Sequence, residues 1–384
     1  MTPVTKDSVG WLADFEEIRC YEDDEVNAVL KELAEDDVFV NSLETFIQKN
    51  HASPDRSKQA YLAELQAIDS IDAFQAWIEA SFLPAIENSY SELTISGLDN
   101  LSPDSPYLFI SNHRDIVMDP LILNLAIKRN GMKTAHCAIG DNLLQSKTAY
   151  HVSMLNRCFK VSRSLRSPKA ILRAMRIQSA YIRYRHEQEK SHIWIAQKEG
   201  RSKDNSDLTN PALIKMLALA RPKEESLQAY LNSLNVVPVC LSYEWDPCDI
   251  DKARQLNDAT HQERYEKQTL DDLNAVNKGL SGWKGGISIA FGKPLKLDGV
   301  EANHTTMAQE IDQWIHHAYR LFPNNFAAFK KVYPNVQIDS MFPKEKVHEA
   351  QRLLEKRLVD TPELEERVYK AYAKPLAYTY QLET

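Results

Sequence analysis

His113 is the residue in this chain best placed to move a proton. The segment Leu108-Phe-Ile-Ser-Asn-His-Arg-Asp-Ile-Val-Met-Asp-Pro120 reads as a strand, a polar turn and a helix start. Its titratable carboxylates are Asp115 and Asp119. An imidazole that faces a carboxylate is held in one tautomer and made more basic, which suits removal of a proton from a hydroxyl. Both His113 and Asp119 would lie at the carboxyl end of a strand, where open α/β sheets bind ligands. Asp119 has a second reading. With Pro120 at the first helical position, Asp119 is an N-cap and His113 a plain loop histidine. Asp115 is the other partner within reach of His113. His113-Arg-Asp115 also spells the tripeptide of a kinase catalytic loop. That loop needs Asn five residues after its Asp, and position 120 is Pro, so a kinase is excluded.

Three further segments carry candidate binding groups. Asn156-Arg-Cys-Phe-Lys-Val-Ser-Arg163 is a short apolar stretch that closes on an arginine. Ile193-Trp-Ile-Ala-Gln-Lys-Glu-Gly-Arg-Ser-Lys203 is a buried-type strand that ends in a glycine turn with alternating cations. Gly200 lets that turn be tight, and Arg201 with Lys203 could point the same way across it. Two such cations suit a phosphate, the arginine offering a bidentate fork. Asn235-Val-Val-Pro-Val-Cys-Leu-Ser242 is a strand interrupted by Pro238, which predicts an edge or bulge position. Taken singly, each segment also reads as ordinary structure: a surface arginine, a charged turn, a plain strand.

The elements that must position these residues follow from periodicity. Residues 1–90 read as helices, with Val26, Val29, Leu30 and Leu33 at helical spacing and Tyr61, Leu62, Leu65 and Ile68 repeating it. From about residue 93 strands and helices alternate. Strands are expected at Leu93–Ser96, Tyr107–Ser111, Thr134–Ile139, His192–Ala196, Val236–Ser242 and Ile287–Phe291, with helices at Leu121–Arg129, Lys169–Arg185 and Ala212–Leu219. From Pro323 the chain is helical again through Val347–Leu358 and a start at Thr361-Pro362. The expected fold is α/β: a mixed sheet covered by helices over residues 91–322, an N-terminal helical domain over 1–90 and a C-terminal helical extension over 323–384.

Composition narrows the function classes. The chain has 384 residues, 43% hydrophobic and 26% charged, enough apolar material for a large core. It has no apolar run long enough to cross a membrane, and its acidic first seventeen residues are not expected to be a secretory signal. Five cysteines without a Cys-x-x-Cys argue against a disulfide scaffold or a zinc site, so a reducing cytoplasm is expected. The net charge of −8 hides a block at 157–223 with sixteen Lys/Arg against five Asp/Glu. That block suggests an anionic ligand or surface. Helix-turn-helix, zinc-finger and RNP signatures are missing around it, so nucleic acid is not expected. His316 and His317 read as packing or surface residues, and no metal is expected.

In this order the four segments resemble the motifs of the glycerolipid acyltransferase superfamily: N-H-x4-D, a segment ending in Arg, E-G-x-R and a V-P-V-like strand. The resemblance covers about residues 93–300. It is nearest to the soluble, plastid-type glycerol-3-phosphate acyltransferases, on Ile110-Ser-Asn-His113, Gly140-Asp141, Ile193-Trp-Ile-Ala196 and Gly200-Arg201-Ser202-Lys203. The departures are five residues between His113 and Asp119 instead of four, Lys198 in place of a usual Pro, no Thr after Gly200, and Ser164 after Arg163 where those enzymes carry His.

The resemblance implies direct acyl transfer. His113 would be the general base and Asp119 its orienting partner. Arg163, Arg201 and Lys203 would bind an acceptor phosphate, with Asn112, Asp115, Glu199 and Gly200 in support. No cofactor is implied beyond the co-substrate, acyl-ACP or acyl-CoA. The favoured acceptor is glycerol-3-phosphate. Lysophosphatidate or another lysolipid is the alternative, and a non-catalytic lipid- or carrier-binding protein on the same fold is a third reading. An acidic carrier protein could use Arg173, Arg176, Arg183 and Arg185. Peripheral contact at the inner membrane surface, through Leu353–Leu358 or a basic surface, goes with a cytoplasmic location.

Overall fold

The computed structural model describes residues 15–50, 57–261, 269–298 and 303–382, so most of the acidic N-terminal stretch lies outside the described residues. Helices α1 (Asp23–Ala34), α2 (Asp37–Asn50), α3 (Lys58–Gln66) and α4 (Ile71–Glu87) come first. Strands β1 (Glu92–Ser96) and β2 (Leu108–Ser111) follow, then α5 (Met118–Arg129) and β3 (His136–Gly140). Next are α6 (Lys147–Leu155), β4 (Cys158–Val161), α7 (Pro168–Glu187) and β5 (Ile193–Ala196). The chain continues through α8 (Pro211–Leu217), α9 (Leu227–Ser233), β6 (Val236–Tyr243), α10 (Asp249–His261), α11 (Thr269–Ser281) and β7 (Gly286–Phe291). It ends in α12 (His304–Ala318), α13 (Pro323–Val332), α14 (Lys344–Leu358) and α15 (Glu365–Thr379). The expected mixed α/β fold, with N-terminal helices and a helical C-terminal extension, is what forms.

Two compact units share these elements. The first takes Met1–Asn88, Lys133–Trp194 and Met216–Glu224; the second takes Ser89–Met132, Ile195–Lys215 and Glu225–Thr384. In the first unit, β3 pairs in parallel with β4 and with the start of β5. Val26, Leu30 and Leu33 of α1 are fully buried and pack with Tyr61, Leu65, Phe74 and Leu155, so the helical spacing of the sequence does mark a core face. β4 was not among the expected strands. At four residues, with a half-buried pattern, it offers neither a long apolar run nor clean alternation.

The second unit holds β1, β7, β6 and β2 in that order, parallel at both outer pairs and antiparallel between β6 and β7. β6 is therefore an interior strand, and Pro238 is not at a sheet edge. Within a strand, the N–H and C=O of one residue point the same way, and the Pro238 carbonyl accepts from Gly292 N–H at 2.9 Å. The missing N–H thus points to the β7 side, just before the β6–β7 ladder begins at Val239↔Phe291. Its loss is confined to the end of that ladder and leaves the pairs from Val239 onward intact. The C-terminal helices build a second core in this unit, with Phe326, Phe329, Val347, Leu354, Leu358, Val368 and Tyr372. Leu354 and Leu358 are spent on that core, and only Leu353 of the 353–358 segment is an exposed leucine, so α14 offers no apolar face to a membrane.

Gly97 closes the turn after β1 with φ of 80°, and a Cβ there would come within 2.0 Å of the Phe291 carbonyl oxygen. Gly97→Ala is expected to destabilise the protein by about 1–3 kcal/mol, the cost of a strained left-handed residue. The midpoint of urea unfolding followed by tryptophan fluorescence checks this; an unchanged midpoint would contradict it.

Candidate active site

All of the side chains around His113 described next belong to the second unit. β2 is buried along its whole length, and the chain leaves it into the loop 112–117. Asn112, with no exposed surface, starts this loop. Its amide oxygen accepts from Leu241 N–H at 2.7 Å and its amide nitrogen donates to Leu241 C=O at 2.9 Å. The side chain thus continues β2–β6 pairing where the backbone turns away. His113 C=O accepts from Ser202 N–H at 2.7 Å, which ties the loop to the turn after β5.

Asp119 is the acceptor at the centre. Its Oδ2 lies 2.7 Å from His113 Nδ1 and accepts from the N–H of Arg114 at 2.6 Å and of Asp115 at 3.0 Å. Its Oδ1 accepts from the Tyr243 hydroxyl at 2.8 Å. Burial, and then the neighbouring Asp119, push Tyr243 ionisation well above the phenol range, so Tyr243 stays a donor. With donors on both oxygens, Asp119 acts as the acceptor toward Nδ1. That leaves the imidazole lone pair on Nε2. Asp119 is fully buried, while the His113 side chain keeps 14% of its surface open.

The N-cap expected at Asp119 is displaced. α5 begins at Met118, and Asp119 lies inside its first turn. Asp115 takes the capping task instead, its Oδ1 accepting from Val117 N–H at 3.0 Å and Met118 N–H at 2.9 Å. The structure therefore brings Asp119, rather than Asp115, to the imidazole. Burial first, and the Asp119 charge second, push the Asp115 carboxyl above its ordinary value. Its Oδ2 is buried against Gly279, where a Cβ would stand 2.1 Å away.

Two clamps hold the loop from outside, and neither was legible in the motifs. Arg114, 3% exposed, donates from one nitrogen to Asn205 Oδ1 and from the other to Asp207 Oδ2, over the ring of Tyr319. Asn205 and Asp207 both adopt left-handed backbone, with φ of 59° and 45°, a conformation Asn and Asp tolerate best. Lys252 is the second clamp. Its ammonium donates to the Arg114 carbonyl at 2.7 Å and pairs with Asp246. Burial works against the Asp246 charge, yet Lys252, the Cys248 N–H and Arg201 hold that carboxyl below its ordinary value. The only sequence signal for Tyr243 is its place at the end of the β6 strand. Asn205, Asp207, Asp246, Lys252 and Tyr319 lie in segments with no motif.

The remaining predicted residues fall as follows. Gly200 has φ of 74° with open space around its Cα, so the left-handed turn itself calls for glycine. Glu199 is exposed. Arg201 interacts with Asp246, and its Nη1 is buried without a hydrogen-bond partner among the described residues. Lys203 lines a shallow cleft with Asp246, Lys252, Arg367 and Tyr372. Arg163 belongs to the first unit. There its backbone N–H meets Asp141 Oδ1 at 3.1 Å and its guanidinium reaches Asn142 at 3.4 Å, so the Gly140-Asp141 segment and the arginine come together at the ends of β3 and β4. A Cβ on Gly140 would lie 2.6 Å from Arg163 Nε. Of the four arginines suggested for a carrier protein, Arg185 is buried and pairs with Glu22 and Glu189, and Arg183 pairs with Glu187. These two are structural ions. His316 stacks on Tyr378 with centroids 3.9 Å apart, a packing role. Among the described residues no group of three or more His, Cys, Asp or Glu could hold a metal ion, and no helix is long and apolar enough to cross a membrane.

Residues 92–242, from the first residue of β1 into the end of β6, match the family model described as Acyltransferase. Over that stretch the chain is similar to the acyltransferase family. The matched stretch contains the histidine loop, the turn after β5 and most of β6. A solved structure, the 1-acyl-sn-glycerophosphate (LPA) acyltransferase PlsC from Thermotoga maritima, resembles the chain with a TM-score of 0.36 and 12% identity, over 76% of this chain and 91% of that one. A likeness at that level carries no substrate across. Among curated proteins, none matches the chain.

Removing one member of a buried ion pair strands the other. Arg114→Met is expected to cost about 3–5 kcal/mol, because it leaves the Asp207 carboxylate buried and uncompensated. The double variant Arg114→Met/Asp207→Leu should recover most of that loss. Unfolding midpoints of both variants test the pair; equal losses in the single and double variants would mean that Arg114 acts through packing alone.

Proposed function

We propose that the protein transfers a fatty acyl group from acyl-ACP or acyl-CoA to a hydroxyl of a glycerol phosphate acceptor, with glycerol-3-phosphate favoured. The observation that carries the reading is the 2.7 Å contact between His113 Nδ1 and an Asp119 that is buried and hydrogen-bonded on both oxygens. That pairing leaves Nε2 to receive the acceptor hydroxyl proton while the oxygen attacks the thioester carbonyl carbon. Asp119 then stabilises the imidazolium, as the Asp of a Ser-His-Asp triad does, with the acceptor hydroxyl taking the place of serine. The C–S bond breaks as the tetrahedral intermediate collapses, and the imidazolium returns its proton to the thiolate. No acyl-enzyme forms in this scheme.

The acceptor phosphate is assigned to Arg201 and Lys203, the two predicted cations in the same unit as His113. In support, Arg201 retains a buried N–H that no protein group satisfies among the described residues. The Ser202 N–H on the His113 carbonyl ties their turn to the histidine loop. Fixing the phosphate there would hold the hydroxyl near the base and make the attack effectively intramolecular. Asp246 moderates the positive charge of this cluster and would disfavour a second anion.

Purified protein offered acyl-ACP or acyl-CoA with glycerol-3-phosphate should form lysophosphatidate. His113→Ala should lower that rate by about 10²–10⁴-fold with folding retained, the scale of a lost general base. Arg201→Met should raise the KM for the phosphate-bearing acceptor about ten-fold or more, the worth of a charged hydrogen bond, with a smaller change in kcat. Acylation of lysophosphatidate alone would keep the chemistry and replace the acceptor. Turnover of neither acceptor with either donor would overturn the reading in favour of a binding protein.

A further inference from the structure

We propose that the exposed face of the first turns of α7 docks the protein onto an anionic phospholipid surface. No Asp or Glu occurs between Val161 and Glu187. The cations of this stretch divide sharply. Arg183 and Arg185, in the second half of α7, are neutralised by Glu187, Glu189 and Glu22. Arg166, Lys169, Arg173 and Arg176 are exposed, and none makes an ion pair or hydrogen bond among the described residues. Lys169, Leu172, Arg173 and Arg176 stand at i, i+3, i+4 and i+7, one stripe of the helix. Leu172 and Met175 are 43% and 37% exposed beside those cations. Across the helix, Gln178, Tyr181, Ile182 and Arg185 are buried, so the exposed stripe is the outward side of a helix already anchored by its other face.

An apolar pair along one side of a cationic stripe matches the boundary between headgroups and acyl chains. Leu172 and Met175 would enter the interface, while the arginines and lysine lay their stems along it with their charges at phosphate level. Four cations within three turns is the density that reads as anionic-lipid binding. The alternative occupant, an acidic protein, fits the charge but not the extent. A stable protein interface takes roughly 20–30 residues a side, and this patch has six side chains on one helix and its lead-in. The inference goes beyond the proposed reaction and does not rest on it, since vesicle binding is read without turnover.

The full-length protein is mixed with vesicles of phosphatidylcholine, with and without about one-third phosphatidylglycerol, and floated on a density gradient. Binding is expected to the anionic vesicles only and to weaken as salt is raised from about 0.05 to 0.5 M, as the Debye length shrinks. Arg173→Glu/Arg176→Glu should lower the partition coefficient at least ten-fold, and Leu172→Ser/Met175→Ser should lower it at fixed charge. Arg173→Lys/Arg176→Lys should keep it, which separates lost charge from lost folding; circular dichroism melts of each variant confirm the separation. Failure to bind anionic vesicles would overturn the proposal. So would binding that Arg173→Glu/Arg176→Glu leaves unchanged, or a face that captures acyl carrier protein and no vesicle.

Discussion

One carboxylate organises the second unit around His113. Asp119 receives the imidazole, two backbone N–H groups of the loop it follows and the hydroxyl of Tyr243 at the end of β6. It therefore fixes three things at once: the tautomer of the histidine, the path of the loop and the distance from α5 to the sheet. A buried carboxylate is costly without donors and stabilising with a full set, so the arrangement is close to all-or-none. Its place in the first turn of a helix adds the favourable field of the helix N-terminus. The rest of the loop obeys the same demand. Asn112 pairs with both backbone groups of Leu241, Asp115 caps α5, and Arg114 and Lys252 grip the loop from outside.

The charges of the chain sort by the same rule. Inside the protein, charged groups occur as partners: Arg114 with Asp207, Lys252 with Asp246, Arg185 with Glu22 and Glu189. Burial pushes Lys284 down to about 8, and its ammonium is still held by the Ser89 hydroxyl at 2.9 Å and the Gly282 carbonyl at 2.7 Å. Such pairs contribute less to net stability than their number suggests, because desolvation offsets attraction, but they fix geometry since breaking one strands the other. The basic excess of residues 157–223 is thus a composite. Part of it is internal structure, and what remains for an outside partner is concentrated on the first half of α7.

Much of the fold could be read from spacing, and the misses have physical causes. The core face of α1 and the six expected strands were legible because they carry helical spacing or apolar runs long enough to see. β4 was not, at four residues with only Phe159 fully buried. Pro238 misled because a proline is tolerated in an interior strand where a ladder ends, as well as at an edge. At the site, His113 and Asp119 were visible as residue types, while Asp207, Asn205, Lys252 and Tyr243 reach the loop from distant segments. Nothing in a local pattern marks such partners, because their role is set by where the chain returns and not by what lies beside them in sequence.

The spacing between His113 and Asp119 shows why geometry outranks a motif count. Five residues intervene where the family pattern has four, and in an unbroken helix that difference would swing one side chain about 100° away from the other. Here only Met118 belongs to α5, and Arg114 to Val117 are not helical. They form a turn whose own N–H groups point at Asp119, with Asp115 folded back to cap the helix that follows. The extra residue is absorbed where the backbone is already bending, and the carboxylate still arrives 2.7 Å from Nδ1. What the proposed chemistry asks of this segment is therefore a strand that leads into a histidine and a helix whose first turn carries an acceptor. The number of residues between them is free to vary as long as the loop's own N–H groups find that acceptor.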